Sequence, residues 1–315
     1  MKKSRMAWQK IWLYMIVSLI VLSCDFFKVK ETSSSGVERY QRIISTSVAS
    51  DTMLVDLLSP HQLYRIVGLS NGFQGYGLDQ TQEALLNYSL AQIFTMEAME
   101  TIFFYQPDLI VASRWAITDD RKELLSRFDI ALHILEDVST LTQMYQQLID
   151  LAKILGHETE ETARHIIRKF REIEQGIEVN RNRLASYGDA IRVLDFNSSG
   201  YTATDGTTFA LMMDLLGVEN LGSRLSESST YGYAPINEEM LFLLDPDVLI
   251  VDSITATRLR KERVFQRLQA VQNNHIFEVD ESMARVFYSP TYHMLFATVQ
   301  LQERLLDWFL PDNNL

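Results

Sequence analysis

The stretch that decides the fold is Glu158-Thr-Glu-Glu-Thr-Ala-Arg-His-Ile-Ile-Arg-Lys-Phe-Arg-Glu-Ile-Glu-Gln-Gly-Ile-Glu-Val-Asn-Arg-Asn-Arg-Leu-Ala-Ser186. It has no proline, and one apolar stripe recurs every three or four residues: Ala163, Ile166, Phe170, Ile173 and Ile177. This spacing predicts one continuous helix, whose 29 residues would span about 43 Å, more than one small lobe requires. A coiled coil is the alternative, but barely two heptads are present. We therefore predict a long helix that joins two lobes.

On both sides of this helix, short apolar runs alternate with helical patterns. The predicted strands are Arg42–Thr46, Leu63–Leu69, Leu109–Ala112, Ile130–Leu135, Ile191–Phe196, Val248–Val251 and His275–Val279. The predicted helices include Asp51–Leu58, Leu141–Leu155, Thr207–Leu216 and Tyr292–Phe309. This alternation favours parallel sheets covered by helices. The expected fold class is α/β, with two Rossmann-like lobes joined by a single long α-helix; the predicted boundaries are 39–157 for the first lobe, 158–187 for the helix and 188–315 for the second lobe.

Two segments, one in each half, resemble each other. They are Glu100-Thr-Ile-Phe-Phe-Tyr-Gln-Pro-Asp-Leu-Ile-Val-Ala-Ser113 and Glu239-Met-Leu-Phe-Leu-Leu-Asp-Pro-Asp-Val-Leu-Ile-Val-Asp-Ser253. Each has a glutamate seven positions before Pro-Asp, a helical turn between them and an apolar strand after. The 139-residue separation is too long for a solenoid period and indicates two similar lobes.

The first residues have the pattern of an export signal. Lys2, Lys3, Arg5 and Lys10 precede an apolar run over 11–22 that is too short for a bilayer-spanning helix. Val21-Leu-Ser-Cys24 resembles the bacterial lipoprotein signal, which implies lipidation of Cys24, the only cysteine; a leftover thiol is the alternative. We predict a signal over 1–23 and a flexible tether over 24–38, which contains Thr32-Ser-Ser-Ser-Gly36.

The charge of the chain bears on its partners. Residues 1–23 hold four basic and no acidic residues, so their removal takes the formal net charge from −12 to −16. Phosphates repel such a surface, which argues against a nucleic-acid partner. It also implies that the membrane is reached by lipid and not by a basic patch.

Several segments, taken in order, resemble the periplasmic binding proteins of ABC importers for iron-siderophores, haem and cobalamin. They are Arg42–Thr52, Tyr64–Ser70, Leu215-Leu-Gly-Val-Glu-Asn220 and Gln269–Phe277. Asp51-Thr52 departs from the Thr-Glu usual in the family. The resemblance implies a monomeric binding protein without catalytic activity or cofactor. It also implies that Glu100 and Glu239 dock to arginines of the permease, which works with an ATPase. The alternative is that each glutamate only favours a helix start.

Ligands of open α/β sheets bind at the carboxyl ends of strands, so two facing lobes would bind one in the cleft between them. The segments predicted there offer these candidate ligand-binding residues: Tyr76, Arg114, Trp115, Tyr201, Tyr231, Tyr233, Arg285 and Tyr288. Aromatic rings suit a flat metal chelate, and guanidinium groups suit anionic groups. Each residue separately is as well explained as an ordinary surface or core side chain. Tyr76 or Tyr288 is the candidate for direct ligation of haem.

Two other classes of function have some support in the sequence. The six histidines show no ligand-like spacing, so we predict no metal site, although a free zinc- or manganese-binding protein is the alternative. Gly68-Leu-Ser-Asn-Gly72 fits the G-x-S-x-G elbow of serine hydrolases, with Ser70 as nucleophile. The elbow must lead directly into a helix, whereas Phe-Gln-Gly-Tyr-Gly follows. The expected function is therefore lipid-anchored solute binding on the periplasmic side of a bacterial membrane or on the cell surface.

Overall fold

The computed structural model describes residues 39–70, 91–93, 97–288 and 290–310, without the side chains of 91–93, 281, 282 and 285. Its strands are β1 Ile43–Ser45, β2 Ile66–Ser70, β3 Ala91–Ile93, β4 Leu109–Ser113, β5 Ala131–Leu135, β6 Arg192–Asp195, β7 Tyr201–Ala203, β8 Glu219–Asn220, β9 Tyr233–Pro235, β10 Val248–Asp252 and β11 Ile276–Val279. Each of the seven predicted strands overlaps an observed strand, but Leu63–Leu69 was partly wrong, because Leu63–Arg65 form a 3-10 turn and the strand begins at Ile66. The predicted signal, tether, Cys24 and Tyr76 lie outside the described residues.

The helices cover the sheets and join them. They are α1 Val48–Leu57, α2 Met99–Phe104, α3 Asp119–Arg127, α4 Leu141–Leu155, α5 His157–Leu184, α6 Thr208–Leu216, α7 Glu238–Leu244, α8 Ser253–Lys261, α9 Gln269–Gln272, α10 Glu281–Phe287 and α11 Met294–Phe309. None of these described helices combines the length and the apolar character that crossing a bilayer requires.

Two parallel sheets define the two lobes. The first sheet has the strand order β3-β2-β1-β4-β5 and the second has β11-β10-β6-β8, while β7 and β9 form a small antiparallel pair. In each lobe the first strand pairs with the strand that follows the Pro-Asp turn, as Ile43 opposite Leu109 and Val193 opposite Val248. The predicted fold class, two α/β lobes joined by one long helix, is confirmed.

The long helix α5 starts directly after α4. A capping box at Thr140 and Gln143 begins α4, and Gly156, at a φ of 133°, separates the two helices. This φ is one that residues with a side chain rarely adopt, so the glycine permits the change of direction. Helix α5 packs against α1, α4, α6 and α11.

One hydrophobic core extends through both lobes. The first sheet contributes Ile43 and Val111 to this core, and the second sheet contributes Val193 and Ile250. The buried residues of α5 belong to the same core. The outer face of each sheet has its own smaller cluster. The stripe predicted on α5 was partly wrong, because Ile167 is buried while Ile166 and Ile173 are half-buried. The helix contacts several elements instead of one partner, so its buried face is wider than one seam.

A polar contact ties the first lobe to the end of the chain. Asp56 on α1 accepts a hydrogen bond from the hydroxyl of Tyr292 at 2.7 Å, and its Oδ2 lies 2.6 Å from His293 Nε2. Phe170 of α5 packs against both rings, with centroid distances of 4.7 and 5.5 Å. Residues 236 and 237 positions apart in sequence thus meet beside the long helix.

Candidate functional site

A pocket of about 360 Å³ lies at the carboxyl ends of β6, β10 and β11 in the second lobe. Its lining residues are Asn197, Ser198, Ser199, Tyr201, Tyr233, Asp252, Val279, Ala284 and Tyr288. The volume is in the range of small-molecule sites, and strand ends are where open parallel sheets bind ligands. This pocket is the candidate ligand site among the described residues.

Tyr288 lines this site, and the fully buried Asp195 lies behind it. The Tyr288 hydroxyl donates to Asp195 Oδ1 at 2.9 Å, and Asn197 Nδ2 lies 3.4 Å from the same oxygen. Burial raises the pKa of Asp195 to about 7, although these hydrogen bonds oppose the rise. Burial and the negative charge of Asp195 raise the pKa of Tyr288. Because the Tyr288 proton is directed at Asp195, its oxygen can offer lone pairs to a ligand.

Asp252 fixes the wall of the pocket. Its Oδ1 accepts from the Thr255 N–H at 2.7 Å, which caps α8, and its Oδ2 accepts from the Ser198 N–H at 2.6 Å. Burial opposes ionisation of Asp252, but these hydrogen bonds outweigh it and hold its pKa below the ordinary value. The carboxylate therefore stays charged and holds the 197–199 turn against the start of α8.

Two further tyrosines come from the antiparallel pair β7 and β9. Tyr233 lies opposite Ala203, and Tyr201 lies opposite Pro235. Tyr201 is half exposed, whereas burial and the nearby Asp195 raise the pKa of Tyr233. Of the eight predicted ligand-binding residues, the structure brings three into one pocket: Tyr201, Tyr233 and Tyr288.

The other predicted residues lie apart from this pocket or are not described. Arg114 and Trp115 follow β4 in a 3-10 turn; Arg114 pairs with Glu136 at 3.7 Å, and Trp115 is largely exposed. Tyr231 is exposed, with a φ of 52°. The segment 281–288 is mostly the helix α10, capped by Asp280. Arg285 lies in that helix, but its side chain is outside the described set.

The repeated segments have the same structure in both lobes. Glu100 is the second residue of α2 and Glu239 is the second residue of α7, and both are exposed. Neither glutamate forms an ion pair with another described residue, whereas the neighbouring Glu238 pairs with Arg258 at 2.7 Å. The two predicted docking residues thus occupy equivalent positions, and their carboxylates have no ion pair within the described part of the chain.

The Pro-Asp turns explain part of the repeat by structure alone. Asp108 accepts from the Arg42 N–H at 2.9 Å, and Asp247 accepts from the Arg192 N–H at 2.9 Å. The side chain of Arg42 donates to the carbonyl groups of Tyr105 and Gln106, which directly follow α2. The side chain of Arg192 donates to the carbonyl group of Leu244, the last residue of α7. These contacts fix the start of the first strand of each lobe. Glu100 and Glu239 take no part in these contacts.

The sequence of the chain matches the family described as "Periplasmic binding protein" over residues 94–283, more than half of its length. The chain belongs to the periplasmic binding protein family. No curated protein matches it in sequence.

Solved structures resemble this binding protein over most of its length. The periplasmic vitamin B12 binding protein of Vibrio cholerae has a TM-score of 0.67 at 20% identity, covering 86% of this chain and 98% of that one. A periplasmic heme binding protein from Pseudomonas aeruginosa has a TM-score of 0.67 at 17% identity, with 87% and 94% covered. An ABC-type Fe3+-hydroxamate transport protein from Saccharomonospora viridis has a TM-score of 0.65 at 16% identity, with 84% and 93% covered. At these identities, the likeness concerns the fold.

The hydroxyl of Ser70, the nucleophile of the alternative enzyme hypothesis, has a structural partner in this binding protein. Ser70 is buried at the end of β2; its Oγ donates to Asp51 Oδ2 and its N–H donates to Asp51 Oδ1 at 3.0 Å. Burial raises the pKa of Asp51 to about 6. Asn71 and Gly72 of the motif lie outside the described residues. The family and its structural neighbours are binding proteins.

The histidines of the binding protein have separate surroundings. His275 stacks on Trp308, His293 contacts Asp56, and burial lowers the pKa of His133. Within 39–70, 91–93, 97–288 and 290–310, no three His, Cys, Asp or Glu side chains are grouped to hold a metal ion.

The sequence reasoning missed the acidic residues of the pocket. Asp195 is the second-last residue of the predicted strand Ile191–Phe196, and Asp252 directly follows the predicted strand Val248–Val251, so both positions were available as signals. A carboxylate at the carboxyl end of a predicted parallel strand is the pattern that would have found Asp195 and Asp252.

Proposed function

We propose that this chain is the lipid-anchored solute-binding component of an ABC importer. It binds a metal chelate, of the iron-siderophore, haem or cobalamin class, between its lobes and delivers it to a membrane permease with its ATPase. Lipid on Cys24 holds the protein at the periplasmic side of a bacterial membrane or at the cell surface. The protein acts as a monomer and performs no chemistry on its ligand. Family membership supports this role, as do neighbours whose names include vitamin B12, heme and hydroxamate transport.

The observation that carries the ligand class is the pocket with Tyr201, Tyr233 and Tyr288. Three rings around about 360 Å³ offer flat apolar surface to a flat or aromatic chelate. The Tyr288 oxygen, whose proton is directed at Asp195, is oriented to accept a hydrogen bond or to meet a metal. In this proposal Tyr76, Arg114, Trp115, Tyr231 and Arg285 complete the site from other strand ends.

The lobes close only modestly around the ligand. The core that runs through both sheets and α5 would have to be disrupted for a large swing. The contact of Asp56 with Tyr292 and His293 adds a polar tie at the same place. Closure then amounts to a small hinge motion, after which Glu100 and Glu239 present a defined spacing to arginines of the permease.

The ligand class is tested on the purified protein by its absorption spectrum and by elemental analysis. A bound haem or corrinoid absorbs in the visible range, a ferric chelate brings iron with a charge-transfer band, and a bare zinc or manganese ion is detected only as an element. Ferric hydroxamate, haem and cobalamin are then titrated while tryptophan fluorescence is recorded. Binding of none of them, with a bare ion found instead, would overturn the chelate proposal in favour of the free-metal alternative.

The pocket itself is tested by Tyr233→Ala and Tyr201→Ala. Each removes a ring from the pocket wall, and we expect the Kd of the bound chelate to rise about tenfold or more. The matched control is Tyr187→Ala, since Tyr187 packs against Phe309 away from the pocket. Equal affinity of all three variants and the wild type would place the ligand elsewhere.

A further inference from the structure

We propose that the docking face of each lobe consists of two side chains, an acid and a large exposed apolar residue one helical turn later. These pairs, Glu100 with Phe104 and Glu239 with Leu243, are called the docking pairs below. The partner that fits them is a permease that presents, on each of two equivalent halves, a basic residue beside an apolar hollow. This inference rests on the proposed function and adds the apolar half of the contact.

The exposure of the two apolar residues is the first observation. Phe104 is 78% exposed and Leu243 is 85% exposed. Residues four positions apart lie on the same face of a helix, so each apolar side chain is next to its glutamate. Single exposed apolar residues are common on protein surfaces and carry no argument alone. Here the same exposure occurs at the same position of both repeats.

The buried residues of each repeat orient the short helices α2 and α7 in the same way. Ile102 and its counterpart Leu241 are fully buried. Phe103 packs on Phe128 with a centroid distance of 4.5 Å, and its counterpart Phe242 stacks on Phe265 at 6.0 Å. The inward residues therefore anchor each short helix, and the docking pairs necessarily point outward.

The turn after each helix is equally matched. Gln106 and Asp245 both adopt a positive φ, 47° and 38°, just before the Pro-Asp step. Asp108 and Asp247 then hold the first strand of their lobe. Two helices that share inward packing and exit geometry present their outer residues in the same local arrangement. A surface duplicated in this way fits a partner that is itself duplicated.

Charge favours a protein partner over the other occupants of an apolar face. The exposed carboxylates of Glu100 and Glu239 repel anionic lipid headgroups, and they repel a second copy of this acidic chain. A basic residue of the partner satisfies each carboxylate, and an adjoining apolar hollow buries Phe104 or Leu243. The acid then governs the association rate and its salt dependence, while the apolar residue governs the dissociation rate.

The test uses the full lipidated chain and the importer's permease–ATPase complex in phosphatidylcholine nanodiscs, with association and dissociation followed by biolayer interferometry. We expect Phe104→Ser and Leu243→Ser each to raise the dissociation rate about tenfold and to leave the salt dependence of association unchanged. Glu100→Gln and Glu239→Gln should instead lower the association rate and flatten its salt dependence. Because both apolar residues are exposed, circular dichroism should show unaltered folding.

The matched controls are Val179→Ser and Val264→Ser, which alter exposed apolar residues outside the docking pairs. Unchanged dissociation for Phe104→Ser and Leu243→Ser, with a defect in the glutamate variants, would overturn this inference and leave the proposed docking intact. No defect in any variant would overturn docking at these helices as well. If Phe104→Ser and Leu243→Ser weaken binding to protein-free nanodiscs as much as binding to the permease, the face contacts lipid. If the wild type is a dimer and these variants are monomers, the face mediates self-association. Either result also overturns the inference.

Discussion

The two lobes are alike at their outer turns and unlike at their cleft ends. At the outer turns, Asp108 and Asp247 accept hydrogen bonds from the N–H groups of Arg42 and Arg192, behind equally placed glutamates. At the cleft ends, the first lobe has the buried pair of Asp51 and Ser70, whereas the second has Asp195 beneath the pocket tyrosines.

This difference indicates which surfaces meet which partner. A repeated outer surface suits a partner with two equivalent halves, so both copies keep the same arrangement. In the proposed function the strand ends contact one ligand, and each lobe contributes different side chains there. The four predictions below test this contrast, beginning with the largest expected effect.

Reversing both outer acids should abolish uptake. In the Glu100→Arg and Glu239→Arg double variant, repulsion from the permease arginines replaces attraction, while the cleft is untouched. Ligand affinity should therefore equal that of the wild type, and transport of labelled chelate into cells should be lost. The matched control is Glu161→Arg with Glu227→Arg, which changes the net charge equally at exposed sites elsewhere. Uptake at the wild-type rate in the first double variant would remove the docking claim.

The buried acids of the two cleft ends should differ in their pH dependence. Both Asp51 and Asp195 have a pKa above the ordinary 3.8 in the folded chain, about 6 and about 7. Between the ordinary and the raised pKa, the folded chain holds more protons than the unfolded chain, so the free energy of unfolding falls as pH rises. Asp195→Asn should remove a fall on the order of 3–4 kcal/mol that extends to about pH 7. Urea unfolding at several pH values between 4 and 8 measures it.

Asp51→Asn is the comparison variant for this measurement. In this variant the free energy of unfolding should depend less on pH up to about pH 6. Between pH 6 and 7 it should change with pH as it does in the wild type. A wild-type slope in Asp195→Asn over that last interval would contradict the assignment of the upper window to the second lobe.

The two Pro-Asp turns should contribute unequally to stability although their geometry is shared. Asp247 accepts from the backbone and from two guanidinium nitrogens of Arg192, whereas Asp108 accepts from two backbone N–H groups, of Gln41 and Arg42. Charge-assisted bonds are the stronger kind, so Asp247→Ala should lower the free energy of unfolding by about 2 kcal/mol and Asp108→Ala by about 1 kcal/mol. Urea denaturation gives both values. If Asp108→Ala lowers the free energy of unfolding more than Asp247→Ala does, the hydrogen bonds to the backbone stabilise these turns more than the ion pair with arginine does.

The smallest effect is expected at the start of the short helices. Asn237 caps α7 by accepting from the Met240 N–H at 2.9 Å, whereas Ala98 at the start of α2 has no side-chain cap. Asn237→Ala should cost about 1 kcal/mol of unfolding free energy. It should leave ligand affinity unchanged, and a stability equal to the wild type would show that the cap is redundant.

Local patterns predicted much of this fold because the signals were complete within one segment. Helix α4 has its predicted limits, since Thr140 and Gln143 cap its start and Gly156 ends it. The long helix was recognisable from its period and from the absence of proline. The pair β7 and β9 was missed because its strands are three residues long and pair across about thirty residues, so neither carries a periodic signal by itself.

The candidate site was less predictable than the fold. Tyr201, Tyr233 and Tyr288 were proposed from their places after strands, but the hydrogen bond of Tyr288 to Asp195 joins residues 93 positions apart. Such a contact depends on how α10 packs against β11, which no local sequence pattern indicates. The sequence therefore indicated which residues follow the strands. Which partners their hydroxyl groups bond to could be learned only from the three-dimensional structure.

The tie between Asp56 and the segment before α11 has a consequence for biosynthesis. Tyr292 and His293 reach back to α1, and α11 covers the long helix, so the first lobe has an incomplete interior until the last helix has emerged. Chains that terminate before residue 290 would expose that interior to proteases and chaperones. The folded core therefore becomes complete only when the last helix of the chain is present.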